Sequence, residues 1–376
     1  MRLLNFIKTV YRLFRYKAEW KKQFREISIR KIQNTSIRTI DPKTEKLILF
    51  FIPGAGYYSG KESISGGLIS IISLAQETAK IFEGSNTKTL CATYYSQHLI
   101  YNITSFENKS VILSPKLIEH YFKFVKSLVL HIPELYVEDF VLNQLNNKWL
   151  NKIQNVHINI LNQSIQLMPE MDAIEELKKQ FNICTITTAH TKYCNLFYRK
   201  KFGVPTHLLS VWISKENYID LNYRVKENLI LFSPDNPELS GLLIGNLKKS
   251  LRQFNYQIIQ GLKYEDYKEL ICRAKFVITT GEGLDAYFIE TYFSGGVSLA
   301  IKNTNFFDDK YLNLPCLFDD DTDISEFLVS RITEFDNDKR YHTINQLVTS
   351  LLTTDYSYEN YIQNLIQFYK QEYTYK

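Results

Sequence analysis

Cysteine is sparse and unpatterned in this chain. The five residues, Cys91, Cys184, Cys194, Cys272 and Cys316, are odd in number, lie far apart and form no C-x-x-C pair. That excludes a disulfide framework and a thiolate zinc site, and it predicts reduced thiols. Glycine (14) and proline (9) are too few among 376 residues for a long flexible linker or a low-complexity tract. No internal repeat is present. No stretch approaches the ~18 uninterrupted apolar residues of a membrane-spanning helix. The opening "MRLLNFIKTVYRLFRYKAEW" carries charges every few residues where a secretory signal needs an apolar core. Histidines and carboxylates form no cluster with metal-ligand spacing, so no metal and no cofactor are expected.

What the chain does have is apolar bulk: 45% hydrophobic residues against 23% charged describe a folded protein, and 376 residues divide naturally into two domains. Charge is unevenly placed. Residues 1 to 31 hold ten Lys/Arg and two Glu, a net +8, so the rest of the chain carries −3 of the total +5. The body is therefore not a basic nucleic-acid binder. Within the arm, Leu3, Ile7, Val10, Phe14, Trp20, Phe24 and Ile27 recur at helical spacing, with Lys8, Arg12, Arg15, Lys21, Lys22 and Arg25 between them. A basic amphipathic helix of this kind fits either an anionic membrane surface or the face of its own domain.

Beyond the arm, apolar runs of strand length alternate with helical stretches. "KLILFFIP", "TKTLCATYY", "SLVLHI", "VHINIL", "ICTITTA" and "HLLSVWI" read as strands, with helices at "LISIISLAQETAKIF", "DAIEELKKQF" and "YCNLFYRKKFG". After the polar segment "SKENYIDLNYRVKEN" the pattern restarts with strands "LILFS", "YQIIQG", "FVITTG" and "VSLAI" around helices "SGLLIGNLKKSLRQF", "YEDYKELICRAK" and "AYFIETYF". Uniformly apolar strands alternating with helices imply parallel sheets covered on both faces. The expected division is an arm at 1–40, an N-terminal domain at 41–220, a C-terminal domain at 221–355 and a closing helix at 356–376. Two such domains would face each other across a cleft at their strand C-terminal ends.

The stretch "GEGLDAYFIETYFSGG" (281–296) places Glu290 inside an aromatic-aliphatic helix, where an unpaired carboxylate costs several kcal/mol or more. Asp285 is a good N-cap, and the amides of residues 286 to 288, beginning at Ala286, are expected to attract a diphosphate. Glu290, one turn further in, could accept hydrogen bonds from both hydroxyls of a ribose. Gly283, beside Leu284, allows close backbone approach to a ligand.

This stretch resembles the E-x7-E element of retaining glycosyltransferases with the GT-B fold, of the kind gathered in glycosyltransferase family 4. The resemblance implies an α/β GT-B architecture, with two Rossmann-like parallel-sheet domains facing a cleft behind a basic amphipathic N-terminal helix. It places Glu282 by the donor sugar and Glu290 on the nucleotide's ribose. Through "IIQGLKYEDYKELICRAKFVITTGEG" it sets Gly261 and Leu262 beside the base. "LPCLFDDDTDISEFLVSRI" and "YSYENYIQNLIQFYKQEY" resemble the family's closing segments. The chain departs from the pattern at "LILFSPDNPEL", where the family carries an Arg and a Lys for the diphosphate and this chain has neither, but an acidic Asp235. Lys263, Lys302 and Arg199 are the candidate substitutes. Asp285 and Tyr287 replace the usual second glycine and proline.

In the N-terminal half, "SISGGLIS" resembles the family's glycine-rich turn before the first helix, with Gly66 and Gly67 beside donor phosphate or acceptor. His131 and His190 follow predicted strands, where a histidine can bond a transferring sugar or phosphate. The expected partners are a nucleotide-sugar donor, a carbohydrate or lipid-linked acceptor and an anionic membrane surface met by residues 1–31, with no nucleic acid. The resemblance suggests transfer with retention, in bacterial surface polysaccharide assembly such as capsule or lipopolysaccharide, in the cytoplasm and peripheral on the inner face of the cell membrane. Two alternatives come from other classes. "IPGAGYYSG" offers a dinucleotide fingerprint, but helix character begins only near Gly67 and the next strand lacks the acidic residue that a ribose needs. A non-catalytic GT-B subunit is favoured by the missing cations and opposed by Glu282 and Glu290.

Overall fold

The computed structural model describes residues 19–20, 23–54, 56–58, 61–63, 65–97, 100, 111–213 and 218–376. Leu3, Ile7, Val10 and Phe14 of the arm, with most of its cations, lie outside these. The described part of the arm is helical at 19–20 and along α1 (residues 23–37). Ile29, Gln33 and Ile37 of α1 are buried, and the Gln33 side-chain amide donates to the carbonyls of Ile100 and Ile112 at 3.0 Å each. Trp20, Phe24 and Ile27 are 55%, 61% and 62% exposed. At 100° per residue Phe24 and Ile27 lie on the opposite side of α1 from Ile29, Gln33 and Ile37.

Seven strands form the first sheet: β1 (Lys46–Ile52), β4 (Thr87–Thr93), β5 (Ile112–Leu113), β6 (Ser127–Pro133), β7 (Asn155–Asn162), β8 (Ile183–Thr188) and β9 (Thr206–Leu208). β2 (Gly56–Tyr58) and β3 (Lys61–Ser63) make a separate antiparallel hairpin. The sheet order is β5-β4-β1-β6-β7-β8-β9. Its helices are α2 (Gly66–Ile81), α3 (Pro115–Tyr121), α4 (Val137–Gln144), α5 (Met171–Gln180) and α6 (Leu196–Phe202). β5, the hairpin, α3 and α4 were not expected from the sequence; "HLLSVWI" yields only the three-residue β9.

The second sheet holds β10 (Glu227–Phe232), β11 (Asn255–Ile258), β12 (Ala274–Thr279), β13 (Val297–Ile301) and β14 (Leu317–Phe318) in the order β11-β10-β12-β13-β14, with every pair parallel. Its helices are α7 (Pro237–Ser250), α8 (Tyr264–Arg273), α9 (Ala286–Phe293), α10 (Asp321–Phe335), α11 (Asp338–Asp355) and α12 (Tyr358–Tyr369). β12 is buried at every position, which explains its wholly apolar centre Phe276-Val277-Ile278. Each such side chain contributes about 1.5–3 kcal/mol by leaving water. Helix starts follow local chemistry: Asn195, Asn236, Asp285, Asp320, Asn337 and Ser357 each accept a first-turn amide through their side chains.

Both orders are doubly wound. The first sheet reverses direction beside β1 and the second beside β10, between β10 and β12. Ligands in such sheets bind at the strand C-terminal ends flanking the reversal. The chain divides into two compact units, Met1–Leu161 with Leu167–Thr185, and Asn162–Gln166 with Ile186–Lys376. Within the second unit, α12 packs against β9, Tyr375 bridges Thr206, and the His207 ring donates from Nε2 to the Asn364 carbonyl at 2.7 Å.

Candidate functional site

The turn after β10 and the loop from β12 to α9 meet at the reversal point of the second sheet. Ser233 Oγ, at the end of β10, accepts the Thr280 amide at 3.2 Å. Asp235 sits so close to Gly281 that a Cβ there would stand 2.7 Å from its Cγ. Gly283 takes the left-handed conformation (φ 81°), and a Cβ would meet Phe307 Cε2 at 2.6 Å and the Ile301 carbonyl at 2.8 Å. Only glycine fits this position.

Asp285 caps α9 as expected: Oδ1 accepts the Phe288 amide at 2.9 Å and Oδ2 accepts the Thr279 hydroxyl at 2.8 Å. The Phe288 amide is therefore already bonded, and the expectation that it is free for an anion is corrected. Burial raises the Asp285 carboxyl to about 7; the two hydrogen bonds oppose this, while Asp235 and Glu282 add to it. Glu282 is exposed, on the loop just before α9, and partial desolvation first and Asp235 second hold its carboxyl above the ordinary range. Leu284 is only 4% exposed, so its side chain belongs to the core, and Ala286 opens the helix at the surface.

Glu290 is 5% exposed. Tyr264 donates to its Oε1 at 3.3 Å, and the hydroxyls of Tyr264 and Tyr218 are 3.1 Å apart. Burial raises the Glu290 carboxyl; the neighbouring hydroxyls of Tyr267, Tyr218 and Tyr264, and Lys268, pull it down without prevailing. Tyr267 is near enough to affect this titration, yet its hydroxyl and Glu290 Oε2 are both buried without a partner in hydrogen-bond geometry. Sequence reasoning missed all three tyrosines. The available signal was "YEDY", which puts Tyr264 and Tyr267 on one face of the first turn of α8.

Gly261 (φ 66°), Leu262 and Lys263 form an exposed loop leading into Tyr264. Of the candidate cations, Lys302 pairs with Asp319 at 2.5 Å, Arg199 donates from Nε to the Lys376 carbonyl at 2.8 Å, and Lys263 stands exposed at the N-cap of α8. His190 follows β8 by two residues, half-buried, with its ring edge-on to Phe306 at 5.2 Å. Because the adjacent Phe307 is the ring that closes over Gly283, the turn through Phe306 and Phe307 links His190 to the Glu282 loop within the second unit. Burial lowers His190 to about 4, against a smaller opposing effect from the Gln163 backbone. It is neutral at pH 7 and able to donate one hydrogen bond and accept another.

His131, Gly66 and Gly67 belong to the first unit. His131 does not follow its strand but lies inside β6 at 0% exposure, stacked on Phe50 at 4.1 Å. It joins a buried polar row: His131 Nδ1 to the Asn159 amide at 3.0 Å, Asn159 Oδ1 to the Thr185 hydroxyl at 2.8 Å, and Thr185 to His157 Nε2 at 2.7 Å. Gly66 and Gly67 are the first two residues of α2, not a turn before it, behind an N-cap in which Ser65 Oγ accepts the Leu68 amide at 3.2 Å. Among the described residues, no group of three or more His, Cys, Asp or Glu could hold a metal ion.

No family model matches the chain, and no curated protein matches it in sequence. Similarity appears in solved structures. One is an alpha-glucosyltransferase in complex with UDP and a 13-mer DNA containing an HMU base, at TM-score 0.53 and 9% identity, covering 87% of this chain and 98% of that one. Another is an alpha-glucosyltransferase in complex with UDP-glucose and DNA containing an abasic site, at TM-score 0.53 and 13% identity with the same coverage. The fold is the α/β GT-B type, with two Rossmann-like parallel sheets of seven and five strands.

Proposed function

We propose that the chain is a glycosyltransferase that moves a sugar from a nucleotide diphospho-sugar to a carbohydrate or lipid-linked acceptor. The observation that carries this is Glu290: a carboxylate 5% exposed, eight residues after Glu282, on the helix that begins at the reversal point of a doubly wound sheet. In this reading Glu290 binds the ribose, the Gly261–Lys263 loop lies along the base, and Glu282 reaches the donor sugar. His190, neutral and held near that loop, bonds the transferring sugar. Amides at the start of α9 that Asp285 leaves unused, with Lys263, stabilise the departing diphosphate, so catalysis is positioning and electrostatics. His131 acts from within the first sheet by orienting Asn159, without touching substrate.

Similarity of the E-x7-E element to family 4 supports retention at the anomeric carbon, and it supports a role in bacterial surface polysaccharide assembly. The net −3 beyond residue 31 favours a carbohydrate acceptor over a polyanion. No helix among the described residues is long and apolar enough to cross a membrane. The exposed row Trp20, Phe24 and Ile27 supports peripheral contact with an anionic surface through the arm. A second reading, a nucleotide-binding chain without transfer activity, is favoured by Asp235 standing where the diphosphate cation is expected. Incubation with UDP-glucose, UDP-N-acetylglucosamine and GDP-mannose tests the two. Release of UDP or GDP that Glu282→Gln suppresses supports transfer; nucleotide binding with no release in any mixture, acceptors included, supports the second reading.

A further inference from the structure

Tyrosine–carboxylate pairs elsewhere in this chain are short. Tyr94 bonds Asp139 at 2.5 Å, Tyr311 bonds Asp355 at 2.6 Å and Tyr223 bonds Asp336 at 2.8 Å. These are ordinary lengths for a hydroxyl donating to a carboxylate. The Tyr264 bond to Glu290 Oε1, at 3.3 Å, is half an ångström or more longer than any of these three. The other oxygen of Glu290 and the Tyr267 hydroxyl are buried without a partner in hydrogen-bond geometry, although Tyr267 lies close enough to pull the Glu290 titration down. A carboxylate kept for structure alone has its oxygens satisfied, because leaving them unmet in the interior is costly. Glu290 is instead covered but poorly bonded.

Tyr264 covers Glu290 from the junction of α8 with an exposed loop. Tyr264 is the first residue of α8, directly after the exposed Gly261–Lys263 loop, and a Cβ added at Gly261 would meet nothing within 4 Å. Its ring is half-buried, with the Lys268 ammonium 5.0 Å from the ring centre. Tyr218 comes from the polar segment ahead of β10 and reaches the cluster through its hydroxyl.

We propose that Tyr264, backed by Tyr218, is a displaceable cap on Glu290: its phenol hydroxyl holds Oε1 in the free protein in the place of a ribose hydroxyl, and a ribonucleotide must turn it aside to bind. Once the cap has moved, Glu290 Oε1 and Oε2 and the Tyr267 hydroxyl offer three polar atoms to the ribose diol. This rests on Glu290 being the ribose ligand. The cap thereby makes affinity depend on hydroxyls that can outcompete a phenol, and it favours ribose over sugars lacking them.

The test is calorimetric titration of the full chain with UDP, and with 2′,3′-dideoxy-UDP as the probe without the diol. Wild type, Tyr264→Phe, Tyr218→Phe and Glu290→Gln are compared. The expected result is a three- to tenfold lower Kd for UDP in Tyr264→Phe, a smaller gain in Tyr218→Phe, and no change for the dideoxy probe in either. Glu290→Gln should weaken UDP at least tenfold. UDP binding unchanged or weakened in both Phe variants, with Glu290→Gln still weak, overturns the cap and leaves the ribose assignment standing. UDP binding unchanged in Glu290→Gln, or no UDP binding by wild type, removes that assignment and the cap with it. Tyr218→Phe keeps the test open should Tyr264→Phe fail to fold.

Discussion

Asp285 Oδ1 accepts the Phe288 amide at 2.9 Å, so the expected N-cap takes for itself one of the three amides expected to meet an anion. Its carboxyl is raised to about 7, first by burial, so the folded chain holds a proton there that the unfolded chain gives up near pH 4. The sign follows: the contribution is complete below pH 4 and is lost as pH rises through about 7. Asparagine keeps the cap without the charge. Asp285→Asn should match wild type within about 0.5 kcal/mol at pH 3.5 and exceed it by up to about 4 kcal/mol at pH 8, at about 1.4 kcal/mol for each pH unit by which burial raises the carboxyl. Urea unfolding at the two pH values measures the difference.

The buried row of the first sheet responds in the opposite sense. Burial, with a lesser effect of His157, puts His131 well below its ordinary range, and burial alone lowers His157 to about 4. Both are neutral in the folded chain and protonate more readily when unfolded, so their contribution is present above pH 6.5 and is lost as pH falls toward 4. His157→Gln should flatten the loss of stability between pH 7 and pH 5, read as the shift in urea midpoint. An unchanged slope would show that His157 is not among the groups that titrate on unfolding.

Gly283 and Gly261 both have positive φ, but only Gly283 has neighbours where a Cβ would go. Gly261→Ala should cost about 1 kcal/mol from backbone strain alone. Gly283→Ala should cost about 3 kcal/mol or more, because Phe307 and the Ile301 carbonyl must also shift. Denaturant midpoints of the pair separate strain from contact; equal losses would mean that Phe307 moves freely.

The arm divides by face. Because Ile29, Gln33 and Ile37 are buried while Trp20 and Phe24 are exposed, Trp20→Ser with Phe24→Ser should leave the thermal midpoint within about 2 °C of wild type. The same pair should lower flotation with vesicles containing 30% phosphatidylserine at least threefold. Flotation equal to that of wild type would assign the apolar row to something other than lipid.

Much of the fold was legible because parallel strands buried on both faces read as unbroken apolar runs, as in Leu47 to Ile52 or Phe276 to Ile278. β5 and β14, two residues each, are too short to show a period, and α3 and α4, of seven and eight residues, span barely two turns over which a helical period could be read. In the site, Asp285 and Glu290 could be placed because helix capping and a charge within an apolar helix are local signals. His131 was set one step too far along, since a polar residue ending an apolar run looks like a strand terminus when its buried partners Asn159 and Thr185 lie on other strands. Of the tyrosines around Glu290, "YEDY" could have paired Tyr264 with Tyr267 on one helix face, but their meeting with Tyr218 and Glu290 comes only through the fold.

The central claim is that Glu290 binds the ribose of a nucleotide. The most direct measurement is the thermal midpoint of wild type and Glu290→Gln, each with and without UDP and GDP. A ligand at a hundredfold excess over Kd adds about 2.7 kcal/mol to stability, which is a shift of several degrees or less for a chain of this size. The expected result is a clear rise for wild type with one nucleotide and less than half that rise for the variant, whose own midpoint stays level or climbs because a buried charge has been removed. An equal rise in both proteins would contradict the claim and make Glu290 a structural residue.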